Sequence, residues 1–468
     1  MKVLLTHGYF LNDDEKEKHI MKPYPPLGIL YISAYLKQHG IDTEVFDSTF
    51  SEKFLLKTYL LQHRPKYVAI YANLMTKVNV LELIRFIKNE SLLKHTKVIL
   101  GGPDVTFNYE HFLDHGADFL VIGEGEETML ELIQTLENHD QDLNNIAGIA
   151  YKDAQDNPRK NTARTKIKDI DQLPMPDRQA IDLFKYLDTW KSAHGKNAIS
   201  VSTMRGCPYT CKWCSRAVYG LSYRRRSPEK VVEELEWIQK TYQPDTLWFV
   251  DDVFTVSHKW LAAFYEALKA KNLKISYECI TRADRMNEDV IKLMKESGCF
   301  RVWIGAESGS QKIVDLMDRR VEVEEVREMI RLSRQHGIEA GTFIMIGYPG
   351  ETEADIEETI HHLKNSAPDH FTITVAYPIK GTPLYEEVES LHTTHLDWST
   401  STDRDIDFKR TYPRGYYDHA LRHVISEVHY HKNRVSGNLK AAAKFKIKSL
   451  MSKAGMQWEK ARQATHLL

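Results

Sequence analysis

Cys207-Pro-Tyr-Thr-Cys211-Lys-Trp-Cys214 is the stretch on which the interpretation of this chain depends. Its cysteines follow the spacing CxxxCxxC, and a [4Fe–4S] cube normally takes four cysteine ligands, so three would leave one iron open. Structural zinc favours four closed ligands in two separate pairs, and the sequence has no second CxxC pair. A disulfide is disfavoured because three is an odd number and the chain resembles a cytosolic one. We therefore predict an iron–sulfur cluster held by Cys207, Cys211 and Cys214.

Composition and length limit the number of domains and the classes of protein to which the chain can belong. The 468 residues exceed one ordinary core and predict two or three domains. With 42% hydrophobic and 27% charged residues the chain is typical of a soluble globular protein, and its net charge of −2 gives no basic field for nucleic acid. The N-terminus begins as a strand and not as a signal peptide, and without an apolar run of about 18 residues we expect no transmembrane helix. Isolated Cys279 and Cys299 are interpreted as core residues, and the thiolate ligands indicate a reducing, cytoplasmic location.

Residues 1–145 alternate strand and helix. Apolar strands are predicted at 3–6, 43–46, 67–71, 98–100 and 119–122, with helices at 27–39, 80–88 and 128–136. Such strands indicate a parallel, Rossmann-like sheet covered on both faces, which binds ligands at the carboxyl ends of its strands. Those ends carry the candidate ligand residues Ala72, Asn73, Leu74, Gly101, Gly102, Pro103, Gly123, Glu124 and Gly125. Glycines there would let the backbone approach a large flat or phosphate-bearing ligand, although they would equally well only turn the chain.

Residues 196–390 repeat the alternation after a connector, residues 146–195, that contains a predicted hairpin. Six strands, at 198–203, 246–250, 275–280, 301–305, 341–346 and 370–375, predict a partial (β/α)6 barrel. Barrel chemistry takes place on the loops that follow the strands. The unusual residues of this region all lie there: Cys207, Cys211, Cys214, Asp251, Asp252, Arg282, Glu307, Gly347, Gly350 and Glu351.

Residues 391–468 are predicted to form a small, mostly helical region that covers the substrate or has an accessory role. A helix is predicted at 420–431. Residues 432–462 hold nine Lys or Arg against one acid, Glu459, with apolar residues between them. This tail would either make weak contact with an anionic membrane surface or form a solvated terminal helix packed on the barrel, and we favour the second interpretation.

CxxxCxxC after the first strand of a barrel resembles the radical S-adenosylmethionine (SAM) superfamily. Further motifs resemble its cobalamin-binding branch: Arg224-Arg-Arg-Ser-Pro-Glu229, Asp251-Asp252-Val-Phe254-Thr255, Ile304-Gly-Ala-Glu307-Ser-Gly309, Gly347-Tyr-Pro-Gly350-Glu351, Pro25-Pro26-Leu27-Gly28 and Gly101-Gly102-Pro103. The branch includes class B methylases and the anaerobic Mg-protoporphyrin monomethyl ester cyclase. The resemblance covers most of the chain.

The resemblance implies that SAM binds the open iron and that one electron cleaves it to a 5′-deoxyadenosyl radical. Asp251 and Asp252 would meet the SAM amino group, although the glycines of the usual GGE-like motif are missing. Arg282 would bind the SAM carboxylate and Glu307 the ribose, while Gly347, Gly350 and Glu351 would line the adenine. Alternatively, Arg282 pairs with Glu278 or Asp284, and Glu307 caps the following helix. Tyr209 and Trp213 are expected to shield the cluster.

The resemblance also implies a cobalamin site in residues 1–145. Ala72-Asn73-Leu74 resembles an SxL motif that has lost its serine, Gly101-Gly102 matches the GG motif, and the Gly123–Glu126 loop resembles that of the cyclase. The cobalt-binding DxHxxG motif is missing, and His7 is interpreted as a strand-end residue, so no lower axial ligand is assigned. We expect the nucleotide tail of cobalamin to be buried between the sheet and its helices, with the corrin facing the barrel.

Three functions remain open at this point. The first is a cobalamin-dependent radical SAM methylase acting on an unactivated carbon of a small molecule or natural product. The others are a radical cyclase or rearranging oxidoreductase without methyl transfer, and a sensor that binds the cluster and cobalamin. A methylthiotransferase is disfavoured because it would require further cysteines. An electron donor such as flavodoxin or ferredoxin is expected, and the candidate substrate-lining residues are Tyr377, Tyr385, Tyr412, Tyr416, Tyr417 and His419.

Overall fold

The computed structural model describes residues 2–138 and 142–466. Residues 1, 139–141 and 467–468 lie outside this description, so the predicted regions 1–145 and 391–468 are described only in part. The described chain divides into two compact units. The first comprises the residues up to Pro208 together with Arg216–Trp248 and Asp397–Thr402. The second comprises Tyr209–Ser215, Phe249–Leu396 and the residues from Asp403 onward.

The first unit is built around a seven-stranded sheet with the order β2-β1-β3-β4-β5-β6-β7. Its strands are β1 Lys2–His7, β2 Asp42–Phe46, β3 Tyr67–Tyr71, β4 Lys97–Gly101, β5 Phe119–Val121, β6 Ile149–Lys152 and β7 Pro158–Lys160. The first five pair in parallel, as the sequence predicted. Strands β6 and β7 add the predicted hairpin in antiparallel pairing.

Helices cover both faces of this sheet and create two apolar cores. The helices of the first unit are α1 Glu15–Ile20, α2 Leu27–Gln38, α3 Lys53–His63, α4 Lys77–Asn89, α5 Val105–Asp114, α6 Gly125–Glu137, α7 Leu183–His194 and α8 Pro228–Tyr242. Neighbouring residues of one strand enter different cores, Leu4 one and Leu5 the other, because strand side chains alternate between faces. Burial of each such side chain contributes roughly 1.5–3 kcal/mol, which fixes the register of the strands.

Four further strands in this part of the chain flank the cysteine loop: β8 Ala198–Val201, β9 Met204–Arg205, β10 Arg224–Arg225 and β11 Thr246–Phe249. Strands β8 and β11 are neighbours. The short strands β9 and β10, which the sequence did not predict, pair in antiparallel fashion with Arg205 opposite Arg224. Helix α8 begins with Ser227 as its N-cap and Pro228 in its first turn.

The second unit contains four parallel strands that are neighbours in chain order: β12 Tyr277–Thr281, β13 Cys299–Glu307, β14 Glu339–Ile346 and β15 His370–Val375. Its helices are α9 His258–Ala270, α10 Glu288–Glu296, α11 Gln311–Leu316, α12 Val323–Gln335, α13 Glu353–Ser366, α14 Pro383–Val388, α15 Arg414–Val435 and α16 Leu439–His466. All six strands predicted for residues 196–390 are therefore present. Side-chain caps fix where helices begin; the Asn287 carboxamide oxygen, for example, accepts a hydrogen bond of 2.9 Å from Val290 N.

The C-terminal region is mostly helical, as predicted. Its basic tail forms α16, which packs on α15 through Glu427: this carboxylate accepts hydrogen bonds from Lys446 Nζ at 2.7 Å and Ser449 Oγ at 2.5 Å. The polar segment around Trp398 belongs to the first unit, where the indole stacks on His111 with the ring centroids 4.8 Å apart. Residues 391–468, which were predicted to form one substrate-covering or accessory region, are thus divided between the two units.

Candidate active site

A cavity of about 270 Å³ opens at the carboxyl ends of the parallel strands in the first unit. Its deep wall is apolar and is formed by β-strand and helix residues that include Leu5, Ile29, Ile32, Ala69, Ile99, Val121 and Met129. Glycine loops after β4 and β5 form its mouth. The space is too small for a whole corrin and suits one flat part of a larger ligand, inserted between the sheet and helices α2 and α6. This is where the nucleotide tail of cobalamin was expected.

Six of the nine residues predicted to bind cobalamin line this cavity: Gly101, Gly102, Pro103, Gly123, Glu124 and Gly125. Two of the four glycines are required by space, whereas a Cβ on Gly101 or Gly123 would meet its nearest atom only at 3.9 or 3.8 Å. A Cβ on Gly102, whose φ is +108°, would lie 2.3 Å from the Ala72 carbonyl oxygen, and one on Gly125 would lie 2.8 Å from Ile32 Cδ1. The cradle is therefore built of backbone, which fits a large ligand that must approach closely.

The other three predicted residues, Ala72, Asn73 and Leu74, stand outside the wall of this cavity. Ala72 is buried behind it, and its N–H donates a hydrogen bond of 2.7 Å to Gly101 O. The Asn73 side chain accepts hydrogen bonds from Met75 N and Thr76 N, which closes the turn before α4. The structure therefore places this segment in support of the glycine turn, while its role as a cobalamin contact remains a prediction.

Glu124 lines the cavity, but both oxygens of its carboxylate are already engaged. Oε1 accepts a hydrogen bond of 2.9 Å from Arg205 Nη1, and Oε2 accepts one of 2.6 Å from Arg224 Nη1 and one of 3.0 Å from Ile167 N. Arg205 also donates to Glu126 at 2.5 Å, and its guanidinium lies between the rings of Tyr31 and Tyr219. We call Arg205 and Arg224 the cavity arginines, because they fix the loop that lines the cavity.

His7 ends β1, as predicted, and neither of its ring nitrogens is free. Nε2 lies 3.0 Å from Asp47 Oδ1, and Nδ1 lies 2.9 Å from Ser48 Oγ. Although burial raises the pKa of Asp47, hydrogen bonds from His7, Thr49 and Tyr186 outweigh burial and lower it. The ring is thereby fixed between two polar partners, which agrees with a structural role and not with cobalt ligation.

In the second unit, two buried guanidinium groups approach the sulfur of Cys211. Arg282 Nη1 and Arg319 Nη1 each lie 3.6 Å from Cys211 Sγ. Arg282 also donates to Asp284 Oδ1 at 2.8 Å and to Arg319 O at 2.7 Å, and it stacks 3.9 Å from the ring centroid of Tyr209. Of the two pairings considered for Arg282, the structure contains the one with Asp284. We call Arg282 and Arg319 the cysteine arginines.

The loop that carries Cys211 and Cys214 is fastened to the segment after α11. Thr210 Oγ1 donates to Asp318 Oδ2 at 2.5 Å, and Lys212 N donates to Met317 O at 3.1 Å. Cys211 is buried and Cys214 is half-buried, as is Cys207 in the first unit. Among the residues that the structure describes, no three His, Cys, Asp or Glu side chains meet in a way that could hold a metal ion. The three cysteines thus stay predicted ligands, and the feature that agrees with a cluster is the pair of positive groups that face the buried thiol of Cys211.

Two acidic residues predicted to contact SAM are buried in the second unit. Asp251 follows β11 and is buried, whereas its neighbour Asp252 is exposed. Glu307 ends β13 with a φ of +65°, and burial raises the pKa of its carboxyl against the opposing charges of Arg319 and Arg282. Helix α11 has Ser310 as its N-cap, so Glu307 does not cap it. Its carboxylate lies 3.9 Å from Arg319 Nη2, and its contact with SAM remains a prediction.

Gly347, Gly350 and Glu351 form the loop after β14. Gly347 and Gly350 have φ values of +77° and +81°, which only glycine adopts readily. Glu351 is fully buried; one carboxylate oxygen accepts a hydrogen bond of 2.5 Å from Gly347 N and the other has no partner among the described residues. A Cβ on Gly347 would lie 3.3 Å from the ring of Tyr417.

The predicted substrate-lining residues are distributed around the C-terminal helices. Tyr416 and Tyr417 are fully buried at the start of α15, and Tyr412 stacks on Tyr416 with ring centroids 4.1 Å apart. His419 is packed against Gly455 of α16, where a Cβ would lie 2.5 Å from its ring. Tyr377 and Tyr385 are half-buried. The sequence missed Arg410, whose Nη2 donates to Ala376 O at 2.7 Å beside this cluster.

The cavity and the cysteine loop define an α/β enzyme with two cofactor sites. The family model of the radical SAM superfamily matches residues 201–363, and that of the B12 binding domain matches residues 19–133. An uncharacterized methyltransferase of Pyrococcus horikoshii is 31% identical over 370 residues, which cover 77% of this chain and 78% of that protein. The anaerobic magnesium-protoporphyrin IX monomethyl ester cyclase of Synechocystis is 27% identical over 389 residues, 80% of this chain and 74% of the cyclase.

Solved structures share the fold. The cobalamin-dependent SAM radical enzyme OxsB with aqua-cobalamin bound superposes with a TM-score of 0.76 at 17% identity, over 97% of this chain and 72% of OxsB. The radical SAM methyltransferase TsrM of Kitasatospora setae gives 0.69 at 18% identity, over 85% and 79%. This chain belongs to the cobalamin-binding radical SAM enzymes, as its motifs predicted. Its cofactors are a [4Fe–4S] cluster, SAM and cobalamin.

Proposed function

We propose that this enzyme methylates an unactivated carbon of a small-molecule or natural-product substrate. The observation that carries the proposal is the glycine-walled cavity at Gly101, Gly102 and Gly123, which provides a second cofactor site in a chain that already has the cysteine loop. Hydrogen abstraction alone needs no corrin, whereas methylation of a carbon radical needs a methyl donor. The similarity to a methyltransferase of P. horikoshii supports the same conclusion.

When bound, the cluster supplies the electron that cleaves SAM, and cobalamin supplies the methyl group. The part of the protein is to position the reactants and to exclude water. Cys207, Cys211 and Cys214 would hold the cluster, while the cysteine arginines place positive charge beside a ligand that is negative when ionised. Tyr209 and Trp213, whose rings pack on Arg282 and Arg319, would keep solvent from the cluster.

The remaining assignments follow from the same arrangement. Asp251, Asp252, Arg282, Glu307 and the Gly347–Glu351 loop are proposed to bind SAM, and the glycine loops around Glu124 to bind cobalamin. We propose domains at residues 1–145 and 196–390, with 146–195 as connector and 391–468 as accessory region.

An electron donor such as flavodoxin or ferredoxin and a reducing, cytoplasmic location agree with the thiolate cluster. No described helix is both long and apolar enough to cross a membrane.

Product analysis tests the proposal. Anaerobically reconstituted protein with SAM, cobalamin, a reductant and candidate substrates should form S-adenosylhomocysteine and 5′-deoxyadenosine in equal amounts. Flavodoxin should replace dithionite as reductant. A failure to form 5′-deoxyadenosine with any reductant would contradict the proposal.

A radical cyclase without methyl transfer is the second candidate, favoured by the similarity to the Mg-protoporphyrin ester cyclase of Synechocystis. Such an enzyme would form 5′-deoxyadenosine without S-adenosylhomocysteine. A sensor function has less support, because the relatives named above are enzymes. A methylthiotransferase stays disfavoured: the two remaining cysteines, Cys279 and Cys299, are both fully buried.

A further inference from the structure

The last helix, α16, has two faces with different surroundings. Ala442, Ser449, Ser452 and Met456 are buried and recur at helical spacing. Ser449 Oγ donates to Glu427 of α15 at 2.5 Å, and Gln457 Nε2 donates to Glu353 of α13 at 3.0 Å. This face holds the helix on the rest of its unit.

The opposite face is apolar and exposed. Six residues recur along α16 at steps of four, four, three, four and four positions, which places them on one stripe: Leu439, Ala443, Ile447, Leu450, Ala454 and Trp458. Their large side chains are 71%, 60%, 57% and 60% exposed at Leu439, Ile447, Leu450 and Trp458, and Met451 beside them is 70% exposed. A helix that only completed a globular unit would turn polar residues outward on this side.

The lysines of α16 also lie on two different sides of the helix. Those on the packed side pair with carboxylates of α13 and α15: Lys446 with Glu427 at 2.7 Å, Lys453 with Glu357 at 2.8 Å and Lys460 with Glu353 at 3.6 Å. Lys440, Lys444 and Lys448 follow one position after the first three members of the apolar stripe, and all three are exposed. Within the part of the chain that the structure describes, these three form no ion pair. The exposed face thus combines an apolar stripe with a row of uncompensated positive charge.

We propose that this exposed face of α16 docks the enzyme on the surface of an anionic lipid bilayer. An interfacial helix carries a tryptophan and aliphatic side chains on one side, with lysines beside them that reach lipid phosphates. Of the nine Lys or Arg in residues 432–462, Lys440, Lys444 and Lys448 lie beside the apolar stripe, so the charge of the surface complements anionic lipid. The helix lies along the surface and does not span it, and binding is reversible.

A second copy of the chain is the alternative occupant. Two α16 helices that paired through the apolar stripe would bring their unpaired lysine rows together, and like charges at close range oppose such pairing. A bilayer that contains anionic lipid neutralises the same lysines. Charge therefore favours the lipid surface.

Vesicle flotation of the full chain tests the inference. The protein should float with vesicles of equimolar phosphatidylglycerol and phosphatidylcholine at low salt, and not with phosphatidylcholine alone. Added salt should weaken binding, because it screens the lysines. The assay needs neither substrate nor turnover, so its result is independent of whether the enzyme methylates or cyclises.

Three variants separate the contributions. Lys440→Gln, Lys444→Gln and Lys448→Gln together should weaken binding roughly 10- to 100-fold. The matched control replaces three exposed lysines of α8, α9 and α10, Lys240, Lys269 and Lys292, by Gln; it changes the net charge equally and should leave flotation unchanged. Ile447→Ser with Trp458→Ser should abolish binding at moderate salt while thermal unfolding stays as in wild type, since both side chains point to solvent.

The inference is overturned if wild-type protein does not float with anionic vesicles at low salt, or if both glutamine triples bind equally. It is also overturned if the wild-type chain forms a dimer that the serine variant abolishes, because the stripe would then be an interface between copies. Unchanged binding of the serine variant would equally contradict it.

Discussion

Two pairs of arginines lie beside the proposed cofactor regions, and their side chains contact different partners; Arg205, Arg282 and Arg319 are buried and Arg224 is partly exposed. The cavity arginines, Arg205 and Arg224, donate to the carboxylates of Glu124 and Glu126. The cysteine arginines, Arg282 and Arg319, approach a sulfur atom. The carboxylates next to the second pair are fewer: Asp284 pairs with Arg282, and Glu307 lies 3.9 Å from Arg319.

The difference separates a structural use of arginine from a use that anticipates a ligand. Arg205 donates to the carboxylates of both Glu124 and Glu126, which fixes the geometry of a loop and leaves little charge for anything else. Arg224 is paired less completely, because its Nε and Nη2 have no hydrogen-bond partner among the described residues. Burial raises the pKa of Glu307, and its carboxylate lies 3.9 Å from Arg319 Nη2, beyond hydrogen-bond distance. Positive charge is thus kept beside Cys211, where a cluster with ionised thiolate ligands would be negative. The cavity, in contrast, offers an apolar wall and backbone.

Removal of Cys211 should have the largest effect. A small effect would contradict the contrast drawn between the two pairs of arginines. Cys211→Ala is expected to lose the cluster, with its broad visible absorption, and all cleavage of SAM, because no other described group replaces the ligand. Cys299→Ala is the matched control: this cysteine is also buried, and its loss should leave the cluster intact. An active Cys211→Ala protein would show that the arginines face an inert thiol.

Arg319→Gln should reduce SAM cleavage about 10- to 100-fold, the usual effect of removing a group that supports a metal ligand. The variant should also lower the reduction potential of the cluster, since positive charge next to the sulfur stabilises the reduced form. Arg331→Gln is the control, because this exposed side chain of α12 in the same unit pairs with Glu328. If both variants behave like wild type in potentiometry and turnover, the cysteine arginines have no role at the cluster.

Arg205→Gln should act on the other cofactor. It leaves the buried Glu126 carboxylate without its partner, so we expect a loss of about 3–5 kcal/mol in the free energy of unfolding. Cobalamin binding, followed by absorbance, should weaken because the cavity loop is no longer held. Arg205→Lys keeps the charge and should retain part of both properties.

Arg159→Gln, which breaks an exposed pair with Asp153 in the same unit, should change stability by less than about 1 kcal/mol. If the Arg205→Gln protein is destabilised but binds cobalamin with unchanged affinity, Arg205 contributes to the stability of the fold and not to cobalamin binding. The cavity arginines would then not differ from any other buried ion pair.

The sequence predicted some residues of both sites and missed others. Cys207–Cys214 and the glycines at 101–102 and 123–125 are local patterns, and parallel strands bring loop residues to one edge, so these residues could be named in advance. The arginines could not, because their partners are distant in sequence: 108 residues separate Arg319 from Cys211, and 81 separate Arg205 from Glu124. The only signals were the positions of Arg205, two residues before Cys207, and of the Arg319-Arg320 pair after a short helix.

Secondary structure was missed where apolar residues are not confined to one face. Helix α3 buries Leu56 and Leu60 but exposes Phe54 and Leu55, which obscures the helical period. Helix α7 lies within the proline-containing connector, residues 146–195, for which the sequence predicted only a hairpin. In α16 the packed and the exposed faces are both partly apolar, so the sequence did not decide between a packed terminal helix and one that contacts a membrane surface.

Glu351 should change the pH dependence of stability. Burial raises the pKa of this carboxyl to about 8, although a hydrogen bond from Gly347 N opposes the shift. Since the folded pKa exceeds the ordinary value of 4.5, the folded state holds the proton more tightly than the unfolded state between the two values. This group therefore makes stability fall as pH rises from about 4.5 to about 8, by at most about 1.4 kcal/mol per pH unit.

Glu351→Gln retains an oxygen for the hydrogen bond from Gly347 N and removes the titration. Urea unfolding of this variant at several pH values from about 5 to about 8 should show a flatter profile than wild type, with the larger gain at the alkaline end. Glu353→Gln, two residues later and partly exposed, should keep the wild-type slope. Parallel profiles for wild type and Glu351→Gln would mean that the pKa of the Glu351 carboxyl is not raised in the folded state. The loop after β14 would then resemble the cavity loop, in which arginines pair with the buried carboxylates.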